Sequence, residues 1–239
     1  MHSKKIYVSN ITITKESSAD NYPYNIPSIR NIDDLHFKSE VTFITGENGV
    51  GKSTLLEAIA ANLGFNTLGG TKNTVSDAAD SDLSSLKESI KITRTFSTPK
   101  EWYYFRAESL NQLSKYIDEV GYLDGYNGSM SQRSHGEAAF SIFNNKLSGH
   151  GFYLFDEPES ALSFNYQLAL LSRIDELAKH GSQMIICTHS PILLSYPHAN
   201  IYELSEIGYQ ELSYEETSQF QNMKAFINNY KGFMRRILS

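Results

Sequence analysis

Between Val41 and Ile59 an apolar, β-branched run gives way to a glycine-rich turn and then to a helix-forming run that begins at Lys52. The turn satisfies the pattern G-x-x-x-x-G-K-[ST] at Gly46, Gly51, Lys52 and Ser53, with Glu47, Asn48, Gly49 and Val50 inside it and Thr54 following. Glycine admits positive φ and close backbone approach, so successive N–H groups converge on phosphate oxygens while the helix N-terminus adds partial positive charge. Lys52 is placed to reach the β- and γ-phosphates, and the Ser53 hydroxyl to ligate Mg²⁺. The stretch predicts a nucleoside triphosphate site between a buried strand and a helix.

The rest of the composition narrows the class. The 239 residues suit one α/β domain spanning 1–239 with a modest insertion. A net charge of −6 gives no global attraction to nucleic acid or anionic lipid, although a local basic groove is compatible with it. The single cysteine, Cys187, excludes an intrachain disulfide framework and fits a reducing compartment, with the cytoplasm as the default. No apolar run approaches the ~20 residues that span a bilayer.

Taken in order, residues 4–13 alternate as a first strand, and 14–34 are polar and turn-rich. Tyr24, 22 residues before Gly46, offers a ring that would stack on a base, with Tyr22 as the rival and packing on its own loop as the alternative. After a helix over about 52–63, a loop with short helical pieces runs to about residue 85. Strands are expected over 89–96 and 101–107, and a helix over 110–120. A helix opens at Ser134 and runs to about Lys146. Strand 151–155, helix 163–180 with Leu168, Leu171, Ile174 and Leu177 on one face, and strand 183–188 follow. Strands alternating with helices imply a mainly parallel sheet flanked by helices, with an antiparallel part at 201–212. A C-terminal helix over about 215–238 carries an apolar stripe that reads as core packing.

Phe152-Tyr153-Leu154-Phe155 runs directly into Asp156 and Glu157. Asp156 at a strand end suits a Mg²⁺-associated carboxylate, and Glu157 the activation of an attacking water. Joined to the phosphate turn, this arrangement resembles the ABC-type ATPase superfamily of P-loop NTPases along most of the chain. The resemblance implies ATP as the nucleotide, Mg²⁺ as the metal and hydrolysis to ADP and phosphate. Residues 158–163 resemble the family's D-loop, and His189, 33 residues after Asp156, resembles its switch histidine at the γ-phosphate. Ser134-His135-Gly136-Glu137 occupies the place of the signature segment, keeping Ser134 and Gly136 but departing from Leu-Ser-Gly-Gly-Gln; an ordinary helix cap is the alternative reading. In this superfamily that segment closes on ATP held by a second copy, which implies a homodimer. Glu108 ends the strand after Trp102 and is placed as the Q-loop equivalent near the metal, with Gln112 as rival.

The departures look more like stand-alone RecF/SMC-like ATPases, here without a coiled coil, than like transporter subunits. They imply a switch acting on a protein partner, with nucleic acid possible, and a variable insertion at about 66–130 facing that partner. Two alternatives remain: the ATP-binding subunit of a membrane transporter whose membrane part is a separate chain, and a binding-only ATP sensor.

Overall fold

The computed structural model describes residues 5–14, 22–66, 68–74, 84–123 and 125–238; Lys4 of the expected first strand, and residues 67, 75–83 and 124 of the expected insertion, lie outside them. In chain order the elements are β1 (Val8–Ile13), α1 (Pro27–Arg30), β2 (Asp34–His36), β3 (Val41–Gly46), α2 (Lys52–Leu63), α3 (Ser84–Ser89), β4 (Ile90–Arg94) and β5 (Glu101–Arg106). There follow α4 (Leu110–Glu119), α5 (His135–Ser141, continued by a π-helical turn over Ile142–Lys146), β6 (Gly151–Asp156), α6 (Phe164–Lys179), β7 (Gln183–Cys187), α7 (Pro191–Leu194), β8 (Asn200–Ser205), β9 (Gly208–Glu211) and α8 (Ser218–Ile237).

Six strands form one sheet in the order β5-β6-β7-β3-β8-β9, parallel throughout except for the β8–β9 pair. A second, antiparallel sheet has the order β2-β1-β4. The parallel strands read as continuous apolar runs because both faces are covered. Along β6, Tyr153 and Phe155 enter one core with α4, α5 and α6, while Phe152 and Leu154 enter another with α2 and the small sheet. Along β7, Met184 and Ile186 face the first core, and Ile185 and Cys187 the second. Cys187 is thus a fully buried core residue, as its apolar neighbours imply.

One glutamine ties the two sheets together. Gln183, fully buried at the start of β7, accepts the N–H groups of Tyr7 (2.7 Å) and Val8 (2.9 Å) and donates to the Val8 carbonyl (2.8 Å). This capture begins one residue before β1, so the regular strand starts later than the alternation suggests. Gln183→Leu keeps the volume and strands three buried backbone groups. At ~1–3 kcal/mol for each such group it should cost at least about 3 kcal/mol, read as a lower urea midpoint.

One helix expectation holds in part and another fails, each for a packing reason. In α6 the expected Ile174 and Leu177 are buried and Leu171 packs partly buried on the same core, whereas Leu168 is 45% exposed and Leu170 takes the inward place. In α8 no residue is buried, and Met223, Phe226, Ile227 and Tyr230 face outward. The helix leaves the body after its first turn, so its amphipathic pattern does not meet the core. Within 14–34, read as polar and turn-rich, the short helix α1 forms, and β2 follows at its end, three residues long with only Leu35 buried.

Candidate nucleotide site

The central strand β3 and helix α2 meet at the phosphate turn, and the structure explains its glycines individually. Gly46 has φ +138°, and a Cβ there would lie 2.4 Å from the Leu204 carbonyl oxygen on the paired strand β8. Gly51 caps α2 in the left-handed region, φ +101°, with a Cβ position 2.9 Å from Ile26. Helix α1 buttresses the turn from outside: the Ser28 hydroxyl donates to the Val50 carbonyl.

Lys52 is 4% exposed, and its ammonium donates to the carbonyl oxygens of Gly46 (3.2 Å) and Glu47 (2.8 Å). Burial lowers its pKa, against the opposing pull of nearby carboxylates including Glu157 and Asp156. The Ser53 hydroxyl lies 3.0 Å from Asp156 Oδ1, so two hard oxygen donors from α2 and β6 adjoin at the end of the turn. Burial pushes the Asp156 carboxyl up to about 6, against its hydrogen bond from Ser53 and the field of Arg106. A carboxylate so poorly solvated gains from a cation. The donor set therefore fits Mg²⁺.

Immediately after β6, Glu157 adopts φ +48°, a left-handed backbone uncommon outside glycine. It is anchored there by its N–H to the Cys187 carbonyl (3.0 Å) and by its carbonyl to the Ser160 N–H (3.0 Å). Its carboxylate lies 3.6 Å from His189 Nε2. That distance exceeds a hydrogen bond, and His189 Nε2 is left buried with no partner. Burial and the charge of Lys52 lower the His189 pKa, which favours a neutral ring. A neutral imidazole with a free nitrogen can donate to, or accept from, a group brought in beside Glu157.

The D-loop candidate is wired to this switch. Glu159 Oε1 accepts the N–H groups of His189 (2.6 Å) and Ser190 (3.1 Å). Gln167 donates to the Leu162 carbonyl (3.1 Å) and accepts from the Ser190 hydroxyl (2.6 Å). Sequence reasoning missed both residues; Glu159 was legible only as part of the segment. At the signature position, Ser134 is the N-cap of α5 in a full capping box with Glu137, so the cap reading holds. Ser134 nevertheless stays exposed, and a Cβ on Gly136 would lie 2.7 Å from the Ala161 carbonyl oxygen. The segment is thus seated against the D-loop, which accounts for the glycine. Ahead of it, Asp118 gathers the hydroxyls of Ser129 and Ser131 and the N–H groups of Met130 and Ser131, fixing the chain that leads into the helix.

Two expected site residues are elsewhere. Tyr24 is 4% exposed, in the core beside α2, with its hydroxyl on Ser89. Its ring has no free face, so it does not stack a base. Tyr22 is half exposed. Glu108 has a side chain 90% exposed, 3.6 Å from Arg106, and makes no contact with Ser53 or Asp156. Arg106, one strand over from Asp156, is the charged residue of β5 that acts on that carboxylate, and it pairs with Glu57 of α2.

The family described as "AAA domain" matches residues 24–231. The chain is 28% identical to ABC transporter G family member 1 of Dictyostelium discoideum, over 71% of this chain and 24% of that protein. It is also 28% identical to the hemin import ATP-binding protein HmuV of Idiomarina loihiensis, over 64% of this chain and 66% of that protein. The chain spans less than a third of the length of the first curated relatives that it matches. Among solved structures, an inward-facing metal-chelate type ABC transporter superposes on 91% of this chain and 88% of its own, with TM-score 0.50 and 16% identity.

Proposed function

The chain belongs to the AAA domain family and is an ABC-type P-loop ATPase, and from that premise we propose an ATP-driven switch built from two copies of it. Residues Gly46 to Thr54 hold the triphosphate, and Lys52 exchanges two carbonyl oxygens for phosphate oxygens. Mg²⁺ at Ser53 and Asp156 would neutralise charge on the phosphates. Glu157 takes the proton of a water whose oxygen bonds to the γ-phosphorus as the bond to ADP breaks. His189 orients the γ-phosphate through Nε2. The observation that carries this reading is that buried, unpartnered nitrogen, held 3.6 Å from Glu157.

Ser134 and Gly136 of a second copy complete the site. The Gly136–Ala161 contact and the Glu159–His189 bond couple that closure to the switch within each chain. Closing and reopening would then drive a partner protein, in nucleic-acid maintenance or mobile-element defence. Ser134→Arg tests the composite site: a single copy should keep its ATP affinity, while turnover collapses and ATP no longer promotes dimers. The lost cap costs only ~1 kcal/mol, so the fold survives. Normal turnover would remove this segment from the site.

The import ATP-binding relatives favour a second reading, an ATP-binding subunit of a transporter. No helix among the described residues is long and apolar enough to cross a membrane, so in this reading the membrane part lies outside them. Co-purification of a multi-span membrane protein would establish it over the first.

A further inference from the structure

Beside β5, the outermost strand of the parallel sheet, where Gly70 bridges to Tyr104, cations gather around the only tryptophan. The Lys72 ammonium sits 3.6 Å from the centroid of the Trp102 ring, and the Arg94 guanidinium 5.6 Å from it. Neither has a carboxylate partner among the described residues. Burial and Arg94 lower Lys72 to about 8. Lys72, Lys100 and Lys146 line an open cavity of about 370 Å³ against Trp102. The one carboxylate in its wall, Glu101, is engaged by the Tyr153 hydroxyl and the Ser148 N–H. The positive surface continues past the cavity, where Lys5 lies 3.1 Å from His150 and both Lys5 and Lys100 depress that histidine's pKa. Between Arg94 and Lys100 the turn presents Phe96, fully exposed.

Like charges brought together with no carboxylate paired to them among the described residues, on a chain of net charge −6, are costly unless an anion joins them. The spread from Lys72 to Lys5 exceeds one small cavity and describes a track rather than a pocket. A wholly exposed ring at its margin supplies a stacking face, the combination by which single strands are held: phosphates on cations, bases on aromatics. We propose that the surface formed by Lys72, Arg94, Lys100 and Lys5, with Phe96 at its margin, binds single-stranded nucleic acid. This names the partner class of the switch described above, yet the surface is remote in sequence from every residue assigned to the nucleotide site and can be tested without ATP.

The test is fluorescence anisotropy of a labelled oligothymidylate of about 16 nucleotides, on the full chain at low salt, alongside a duplex of equal length. The unaltered chain should bind the single strand more tightly than the duplex, with affinity falling steeply as salt rises. Emission of Trp102 should change on binding. Arg94→Glu with Lys100→Glu alters exposed side chains only and should weaken binding on the order of tenfold or more; Phe96→Ala should weaken it about fivefold or more. Binding of a fluorescent ATP analogue should be unchanged in all of them. That control separates this surface from the ATPase reading, since loss of ATP binding in the unaltered chain would strike only the latter. No binding at low salt, equal affinity in the charge-reversed variant, or tighter binding of the duplex would overturn the assignment.

Discussion

Glu157→Gln should abolish steady-state ATP hydrolysis, lowering kcat by about 10² to 10⁴-fold, while ATP affinity stays within about twofold. The substitution is nearly isosteric and leaves the two backbone hydrogen bonds that fix residue 157 in place. It removes the carboxylate that faces His189 Nε2 and has no hydrogen-bond partner among the described residues, and so removes the acceptor for the water proton. Phosphate-release kinetics and equilibrium nucleotide binding, run on one preparation, give the two readouts. A variant that still turns over at a tenth or more of the original rate would show that another group accepts the proton.

Lys52→Ala is the second large effect, and it falls on binding rather than turnover. A charge-assisted contact to phosphate in a site this buried is worth ~1.5–3 kcal/mol, or about 10 to 100-fold in affinity. Folding should be spared, because the substitution also removes a cation whose burial lowers its pKa. Isothermal titration with ATP and Mg²⁺ measures the loss, and an unchanged thermal midpoint shows that the fold is intact. Unchanged affinity would contradict the role given to the turn.

The sequence carried most of the fold because periodicity and burial coincide in the parallel sheet. A strand such as Gly151–Asp156, covered on both faces, can only read as a continuous apolar run. The residues of the phosphate turn, together with Asp156, Glu157 and His189, were legible because each sits where a strand ends and carries a chemically distinctive side chain. What was missed is of another kind. Tyr24 looked available because its local stretch is polar, but its burial is set by α2 and Ser89, which are distant in sequence. Glu159, Gln167 and Arg106 act through partners 30, 23 and 49 residues away, and no local pattern announces such pairings. The stripe of α8 has the right period for packing, yet the helix leaves the body, and periodicity does not reveal whether a partner element is present.

In the proposed switch one chain holds half of a site that a second copy completes. The molar mass of Glu157→Gln in solution, by light scattering with and without ATP and Mg²⁺, tests it most directly, because the variant cannot discharge the closed state by hydrolysis. Without nucleotide the mass should be that of the single chain, 27.0 kDa. With ATP and Mg²⁺ it should double, and adding Ser134→Arg should return it to the single-chain value. A mass that stays at 27.0 kDa under saturating ATP and Mg²⁺ would contradict the composite site.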